Sequence, residues 1–298
     1  MFSTAHPVYL HVRTPMHAGT GAELGIVDLP IQRERATGYP KVEGSSLKGA
    51  IRQAFRHVDA ETVSSDDEAL LFGPDNTEVD LHAGALGLTD ARLIFFPVKS
   101  ASGVFAWITC PAVLRRWKED LKHAGVDVSW RTPTKNTLPN TTVIDMDRDG
   151  NECTVVLEEH AHTLTKDDRA QQMASWAAEH VLEMARFPDH VIVLDDDAFR
   201  DYVEMNTEII TRTKINSATG TVAQGQLFTE EYLPAESVMY FLTMASPLRV
   251  ENREEAVLGD VTNPDGDQVL GFFTEHCPDT VQIGANATIG KGLVRVLR

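Results

Sequence analysis

TPMHAGTGAELGIVDLPIQRERATGYPKVEGSSLKGAIR, residues 14–52, is the stretch that decides the fold, and one carboxylate lies among apolar residues at its centre. Asp28 belongs to the run GIVDLPI, and Pro30 follows it by two residues. A helix interior would disfavour the proline, and a buried strand would disfavour the unpaired acid. The stretch therefore predicts a loop that presents one carboxylate to a bound molecule.

The elements on either side of this loop follow from hydrophobic periodicity. VYLHVRT (8–14) alternates and is rich in β-forming residues, so it predicts a strand. GSSLKGAIRQAFRHV (44–58) has apolar residues at helical spacing, and Ser45 or Ser46 can cap it. Residues four apart share a helix face, so we expect either a phosphate-binding or a merely solvated basic face with Lys48, Arg52 and Arg56.

Further along the chain, strands and helices alternate without a regular βαβα order. Strands are predicted at 91–98, at the start of 190–205, at 237–245 and on both sides of a glycine loop within 280–297. Helices are predicted at 110–125, in the rest of 190–205 and at 267–277, and a long β-hairpin at 206–234 with its tip near Gly220. The sequence therefore predicts an α+β fold, with helices on one face of a mainly antiparallel sheet.

Composition limits the class of protein. A chain of 298 residues with 42% hydrophobic residues can build one large domain or two ordinary ones. We find neither a run of 18 apolar residues nor a signal-peptide pattern, so neither a membrane span nor export is expected. The chain has three scattered cysteines, Cys110, Cys153 and Cys277. They fit neither a disulfide framework nor a zinc site, so they predict reduced thiols in a cytoplasmic protein.

The net charge of −17 argues against a nucleic-acid partner, but the charge is distributed unevenly. Residues 1–57 and residues 281–298 each carry a balance of +3, whereas residues 58–280 carry −23. Two basic, glycine-containing ends on an acidic body suit local anion binding. The alternative is an ordinary acidic surface whose ends are basic by chance.

The terminal loop GANATIGKG (284–292) resembles a nucleotide-binding loop only superficially. A P-loop needs four residues between its first glycine and the Gly-Lys pair, and a Ser or Thr directly after the lysine. Here five residues separate Gly284 from Gly290, and Gly292 follows Lys291. ATP hydrolysis is therefore disfavoured. A loop whose backbone amides approach phosphate closely, or an ordinary hairpin turn, remains.

Two polar clusters have simpler explanations than metal binding. His160 and His162 can share a strand face, but the sequence suggests no third ligand for zinc. The aspartates at 195–197 could bind Mg²⁺, yet capping of the helix that follows explains them. Residues 129–169 are polar and broken by prolines and an Asp-Gly pair, so they predict an insertion or a mobile segment.

Several of these segments together resemble a known family. Strand 8–14, the block 14–52 and IGANATIGKGLVRV (283–296) are similar to the RAMP superfamily of RNA-binding proteins in CRISPR effectors. More narrowly, they resemble the backbone subunit of the antiviral type III-B, Cmr-type complex. The resemblance extends through 88–100 and 219–240, so it covers most of the chain, and the block 14–52 is its most specific part.

The resemblance implies one domain over 1–298, with an RRM-like (ferredoxin-like) palm, insertions and a protruding thumb formed by hairpin 206–234. It implies copies that stack along one crRNA guide beside other effector subunits. Each thumb would kink the guide–target duplex and flip out a nucleotide, and each copy would cut the target RNA there as a metal-dependent endoribonuclease. A non-catalytic crRNA-binding scaffold is the alternative.

The resemblance also assigns roles to individual residues. Asp28 matches the family's catalytic aspartate, which would hold a divalent metal, expected to be Mg²⁺. His17 and Glu230 or Glu231 become auxiliary catalytic residues. Contacts to the guide backbone fall on Ser46, Lys48, Arg52, Gly290, Lys291 and Gly292.

Overall fold

The computed structural model describes residues 2–22, 25–75, 82–146, 150–215, 218, 220 and 222–298, without the side chains at 214–215 and 222–226. Its strands, in chain order, are β1 (Thr4–Val12), β2 (Lys41–Val42), β3 (Leu86–Leu88), β4 (Ala91–Lys99), β5 (Phe105–Thr109), β6 (Thr137–Leu138), β7 (Glu152–Leu157), β8 (His160–Lys166), β9 (Val191–Val193), β10 (Glu208–Ile215), β11 (Val222–Tyr232), β12 (Val238–Ala245), β13 (Val257–Leu258), β14 (Val261–Thr262), β15 (Thr280–Gln282) and β16 (Leu293–Leu297). The α-helices are α1 (Gly44–Phe55), α2 (Ser65–Phe72), α3 (Pro111–His123), α4 (Asp168–Ala177), α5 (Asp196–Met205) and α6 (Gly266–His276). Short π or 3-10 turns occupy Ala178–Leu182, Phe187–Asp189 and Ala287–Ile289.

Twelve of these strands form one sheet in the order β15-β16-β1-β12-β4-β5-β9-β6-β8-β7, with β2 beside β4 and β3 beside β12. Only the pairs β5–β9 and β6–β8 are parallel among its described strands. The prediction of a mainly antiparallel α+β fold is therefore confirmed. β10 and β11 form a separate antiparallel hairpin within 206–234, and its tip includes residues outside the described ones.

Both faces of the central strands are buried, and the prediction that the helices keep to one face stays a prediction. Consecutive side chains of β4, Ile94 to Phe96, are fully buried, and successive residues of a strand point to opposite faces. On one face, Trp117 of α3 packs edge-on against Tyr9 and Phe95 at centroid distances of 6.2 and 6.0 Å.

The described residues of 129–169 belong to the main fold. They supply β6, β7 and β8, which extend the large sheet. Trp130, Val155 and Leu164 are fully buried within them. The polar, proline-broken composition concealed three short strands, of which β7 alternates between buried and more exposed residues, so this segment contributes to the core. That it is an insertion relative to the family stays a prediction.

Helix α1 begins two or three residues earlier than a cap at Ser45 or Ser46 predicts, and it ends at Phe55. Glu43 occupies the cap position without a side-chain hydrogen bond, which places Ser45 and Ser46 inside the first turn. The amide of Gly44 instead donates to Asp90 Oδ1 at 2.8 Å. A Cβ atom at Gly44 would lie 2.8 Å from the carbonyl oxygen of Leu88, so glycine is required there.

Two helices were missed by sequence reasoning, α2 and α4. Ser64 and Asp67 form a reciprocal capping box at the start of α2, and Asp167 caps α4. The cap residues were the sequence signal for both helices. For α2, weak apolar periodicity obscured that signal. Within the described part of the chain, no helix is both long and apolar enough to span a membrane.

Candidate active site and nucleic-acid interface

The loop that carries Asp28 lies against β11, so it is attached to the hairpin rather than to the large sheet. The Leu29 amide donates to the carbonyl of Thr229, and the Glu231 amide donates to the carbonyl of Leu29, both at 3.0 Å. Leu29 and Glu230 form a parallel bridge. The segment around Asp28 thus pairs with β11 over a short, strand-like stretch. Pro30 follows at a position where the pairing needs no backbone N–H donor.

The carboxylate of Asp28 is exposed and held in one position. Its Oδ2 accepts hydrogen bonds from the amide of Thr229 at 2.8 Å and from the Thr229 hydroxyl at 2.9 Å. These two bonds hold the pKa of Asp28 below its usual value, and the bond from the Thr229 amide contributes most. Asp28 is therefore an ionised, solvent-facing carboxylate at neutral pH. The predicted loop with one presented acid is found.

Glu231, in contrast, is buried and fully engaged. Its side chain is 6% exposed. Oε2 accepts from the amide of Ile31 at 3.0 Å, and Oε1 accepts from Arg33 and from the Thr207 hydroxyl, the latter at 2.8 Å. This carboxylate therefore ties the end of the Asp28 loop to the base of the hairpin.

Glu230 links the hairpin to the C-terminal glycine loop. It accepts from Arg212 Nε at 2.9 Å, from the Tyr232 hydroxyl, and from Asn286 Nδ2 at 3.2 Å. Burial alone would raise the pKa of Glu230, but the hydrogen bonds from Tyr232, Asn286 and Arg212 outweigh it and lower that pKa. Glu230 is thus a paired, ionised carboxylate.

His17 lies beside these residues and fixes its own tautomer. Its Nδ1 is 2.6 Å from the backbone carbonyl of Glu231, which can only accept, so Nδ1 carries the proton and Nε2 is the acceptor of the neutral ring. The imidazole packs against Tyr232 at a centroid distance of 5.5 Å. It also lines a cavity of about 290 Å³ together with Gln32, Ser46, Gly284 and Ala285.

The glycine loop folds back onto the N-terminal segment. The Ala285 amide donates to the His17 carbonyl at 2.9 Å, and the Gly292 amide donates to the Pro15 carbonyl at 3.0 Å. A Cβ atom at Gly292, where φ is +73°, would lie 2.1 Å from a backbone oxygen, so a close approach requires glycine. Lys291 Nζ lies 5.0 Å from the centre of the Tyr232 ring. The two basic ends of the sequence therefore meet beside the hairpin.

The basic face predicted on α1 is only partly available. Lys48 is half-buried and makes no ion pair with any described residue. Burial, together with the charge of Arg52, lowers the pKa of Lys48. Arg52 and Arg56 both pair with Glu68, so these two members of the predicted basic face are engaged within the protein, and the guide contact at Arg52 stays a prediction. The reason is α2, which sequence reasoning missed and which supplies Glu68.

Glu68→Gln is expected to lower the free energy of unfolding at pH 7 by about 1–3 kcal/mol, because two guanidinium groups lose a charged acceptor. Burial raises the pKa of Glu68, but hydrogen bonds from Arg56 and Arg52 outweigh it, and the net pKa lies below 4.5. A lowered pKa gives stability above the unfolded value that is lost as the pH falls through the folded value.

Thermal unfolding of wild type and variant between pH 7 and pH 3 measures this effect. The stability difference should shrink towards acid pH, and the same change at exposed Glu61 should have little effect at any pH. A difference that stays constant down to pH 3 would contradict the assignment.

The other predicted polar clusters have structural roles. His162 Nε2 lies 2.8 Å from the Tyr202 hydroxyl, and Asp195 caps α5 through the amide of Ala198 at 2.9 Å. Within the described ranges, no group of three or more His, Cys, Asp or Glu side chains is arranged to hold a metal ion. The three cysteines are buried and form no disulfide.

Comparison with known proteins agrees with this geometry. A family model described as the RAMP superfamily matches residues 9–295. The chain belongs to the RAMP superfamily. The resemblance drawn from the block 14–52 and the glycine loop is thereby confirmed.

Individual RAMP relatives match over nearly the whole chain. The CRISPR system Cmr endoribonuclease Cmr4 of Pyrococcus furiosus is 38% identical over 98% of this chain and 95% of its own length. A crystal structure of oligomeric Cmr4 from Pyrococcus furiosus has a TM-score of 0.71 and 32% identity, covering 99% of this chain and 98% of that one. A chain in the cryo-EM structure of type III-B Cmr-beta bound to cognate target RNA has a TM-score of 0.73 at 19% identity, covering 99% and 97%, which shows likeness of fold alone.

Sequence reasoning missed several residues of this RAMP site. Asp28, His17, Glu230, Glu231 and Lys291 were predicted, and the structure brings them together around β11. The residues that hold them were not predicted: Arg33, Arg212, Thr229, Tyr232 and Asn286. The dense polar run FTEEY (228–232) was the available signal.

Proposed function

We propose that this chain is the backbone subunit of a type III-B CRISPR RNA-guided effector and an endoribonuclease that cuts complementary target RNA at regular intervals. The observation that carries the proposal is the exposed, ionised Asp28 carboxylate, attached to the hairpin strand by Thr229. The name of the Pyrococcus furiosus relative, an endoribonuclease at 38% identity, supports the reaction class.

The hairpin β10–β11 acts as the thumb in this proposal, and the sheet acts as an RRM-like palm of a single domain. Copies of the chain stack along one crRNA, with other effector subunits as partners. The hairpin is separate from the large sheet, which suits an element that reaches between nucleic-acid strands. The crystal structure of oligomeric Cmr4 supports self-association.

The guide backbone would pass over the start of α1 and the glycine loop. Ser46 is exposed in the first turn of α1, where helix amides favour phosphate. Lys48 is the cation of that helix without a protein partner among the described residues. The cavity lined by His17, Ser46 and Gly284 lies between the first turn of α1 and the glycine loop, which suits the path of an anionic chain.

Cleavage in this proposal uses the RNA's own nucleophile. A flipped nucleotide leaves A-form geometry, so its 2′-oxygen can align with the adjacent phosphorus, form a 2′,3′-cyclic phosphate and release the 5′-oxygen of the next nucleotide. Asp28 would hold a divalent cation such as Mg²⁺, which supplies neutralisation of charge on the phosphate. An exposed, ionised carboxylate fits Mg²⁺, which keeps several waters and shares phosphate oxygens.

The remaining predicted residues then divide by position. His17 has an acceptor Nε2 in its neutral form and lines the cavity, so it can orient RNA hydroxyl groups. Glu230 and Glu231 are enclosed by hydrogen bonds from the protein, which suits holding the loop rather than touching RNA. These roles are part of the proposal.

A scaffold that binds crRNA without cutting is the second candidate, with Asp28 bracing its own loop. Target cleavage and target binding by the reconstituted guide complex separate the two, with the wild-type chain and Asp28→Asn compared. Loss of cleavage with retained binding supports the nuclease. Equal cleavage by both chains supports the scaffold.

Lys48→Ala is expected to weaken guide-RNA binding about tenfold and to lower the slope of log affinity against log salt by about 0.7, because one phosphate contact is lost. Filter binding or anisotropy across a salt series measures both quantities. Lys122→Ala is the matched control, since Lys122 is an exposed helix lysine on α3. An affinity loss that does not change with salt would contradict a phosphate contact.

A further inference from the structure

Thr229 and Asp28 make a reciprocal set of three hydrogen bonds. The Asp28 amide donates to Thr229 Oγ1 at 3.0 Å. The Thr229 amide and hydroxyl both donate to Asp28 Oδ2, at 2.8 and 2.9 Å. Among the described residues, Thr229 makes the largest hydrogen-bond contributions to the Asp28 carboxylate, ahead of the backbone of Asp28 itself. One residue of β11 therefore determines where this carboxylate lies.

The direction of each bond follows from the chemistry of the groups. The Asp28 amide can only donate, so Thr229 Oγ1 accepts there and its own proton is free for Oδ2. Oδ2 receives two donors, which favours the carboxylate over the carboxylic acid. Both bonds from Thr229 go to Oδ2, and neither goes to Oδ1. The arrangement thus fixes one oxygen and leaves the other for a bound group.

The strand context makes this contact specific. Side chains alternate along β11, so Thr229 shares a face with buried Glu231, whereas Glu230 faces the other side. Thr211, which pairs with Thr229 across the hairpin, is exposed on the same face. Thr229 is half-buried, and the two hydrogen bonds of its hydroxyl constrain the orientation of that group.

We propose that Thr229 is a positioning residue for RNA cleavage. Its amide and hydroxyl hold the ionised Asp28 carboxylate at a fixed place on the hairpin, so docking of the hairpin against RNA also places the carboxylate. The proposal rests on the proposed role of Asp28. It adds that the hydroxyl of Thr229, which no RNA atom needs to touch, controls the rate of cleavage.

Single-turnover cleavage by the reconstituted guide complex tests this, with Thr229→Val, Thr229→Ser, Thr211→Val and Asp28→Asn compared at saturating complex. Valine has the shape of threonine without its hydroxyl, and serine keeps the hydroxyl. A loosened carboxylate should cost about tenfold or more in rate, since small misplacements of reacting groups are expensive. Target affinity, measured separately, should not change, because the Thr229 hydroxyl is engaged by Asp28 rather than by RNA.

We expect Thr229→Val to be slow, and Thr229→Ser and Thr211→Val to retain the wild-type rate. If valine disturbs assembly, Thr229→Ala gives a second variant without the hydroxyl.

The outcomes separate two failures. Wild-type rates from Thr229→Val and Thr229→Ala, with Asp28→Asn inactive, would overturn the role of Thr229 and leave the proposed nuclease intact. A slow Thr229→Ser variant would also overturn it, because the hydroxyl would not be the cause. Wild-type cleavage by Asp28→Asn would overturn both proposals.

Discussion

Asp28→Asn is expected to reduce target-RNA cleavage by about a thousandfold while target binding stays within about twofold of the wild type. Asparagine keeps the shape of the side chain, and its amide oxygen can still accept from Thr229. The negative charge is lost, so a cation at the scissile phosphate loses its protein ligand. Binding depends on guide pairing and on backbone contacts elsewhere, so it should be retained.

The measurement is the ladder of cleavage products from labelled target RNA, with and without Mg²⁺, and target binding in parallel. Asp127→Asn is a matched control, because Asp127 is exposed on another part of the chain and no described residue pairs with it. Evenly spaced cuts by Asp127→Asn and none by Asp28→Asn would identify the carboxylate. A full ladder from Asp28→Asn would make this chain a scaffold.

The predictable part of this site is local in sequence. Asp28, Pro30 and their apolar neighbours define a loop from chemistry that acts over a few residues. The partner of that loop, Thr229, lies 201 residues away, and no periodicity within either segment indicates the pairing. The sequence thus predicts which group is presented but not what holds it.

The basic face of α1 illustrates the same limit. Spacing of four residues correctly places Lys48 and Arg52 on α1, with Arg56 at its C-cap. Whether they are free depends on α2, whose Glu68 pairs with both arginines. Since α2 has weak apolar periodicity, only its capping box could have revealed it. The missed helix therefore pairs Arg52, one predicted guide contact, and its neighbour Arg56 with a carboxylate of the protein.

The C-terminal loop shows the opposite case. Its glycines failed the spacing test for a nucleotide-binding loop, and the structure places it between β15 and β16 without a following helix. The glycines allow close contact with Pro15 and His17. Spacing correctly excluded the P-loop because that motif is defined by residues close together in sequence. The contact between the two ends of the chain could not be predicted this way, since it depends on the fold.

Glu231→Ala is expected to lower the free energy of unfolding by about 3–5 kcal/mol, because it leaves partly buried Arg33 without its carboxylate. The Ile31 amide and the Thr207 hydroxyl lose their acceptor as well. For a chain of this size the melting temperature should fall by roughly 10 °C. The loop should also loosen at its end, so cleavage should weaken together with stability.

Thermal unfolding of the isolated chain, compared with Glu231→Gln and the double variant Arg33→Ala/Glu231→Ala, measures the contribution. Glutamine keeps an acceptor and should be destabilised less, and the double variant should recover part of the loss because no unpaired guanidinium remains. A Glu231→Ala chain that melts like the wild type but fails to cut RNA would contradict the bracing role. Glu231 would then act on the RNA, since its only measurable effect would be on the reaction.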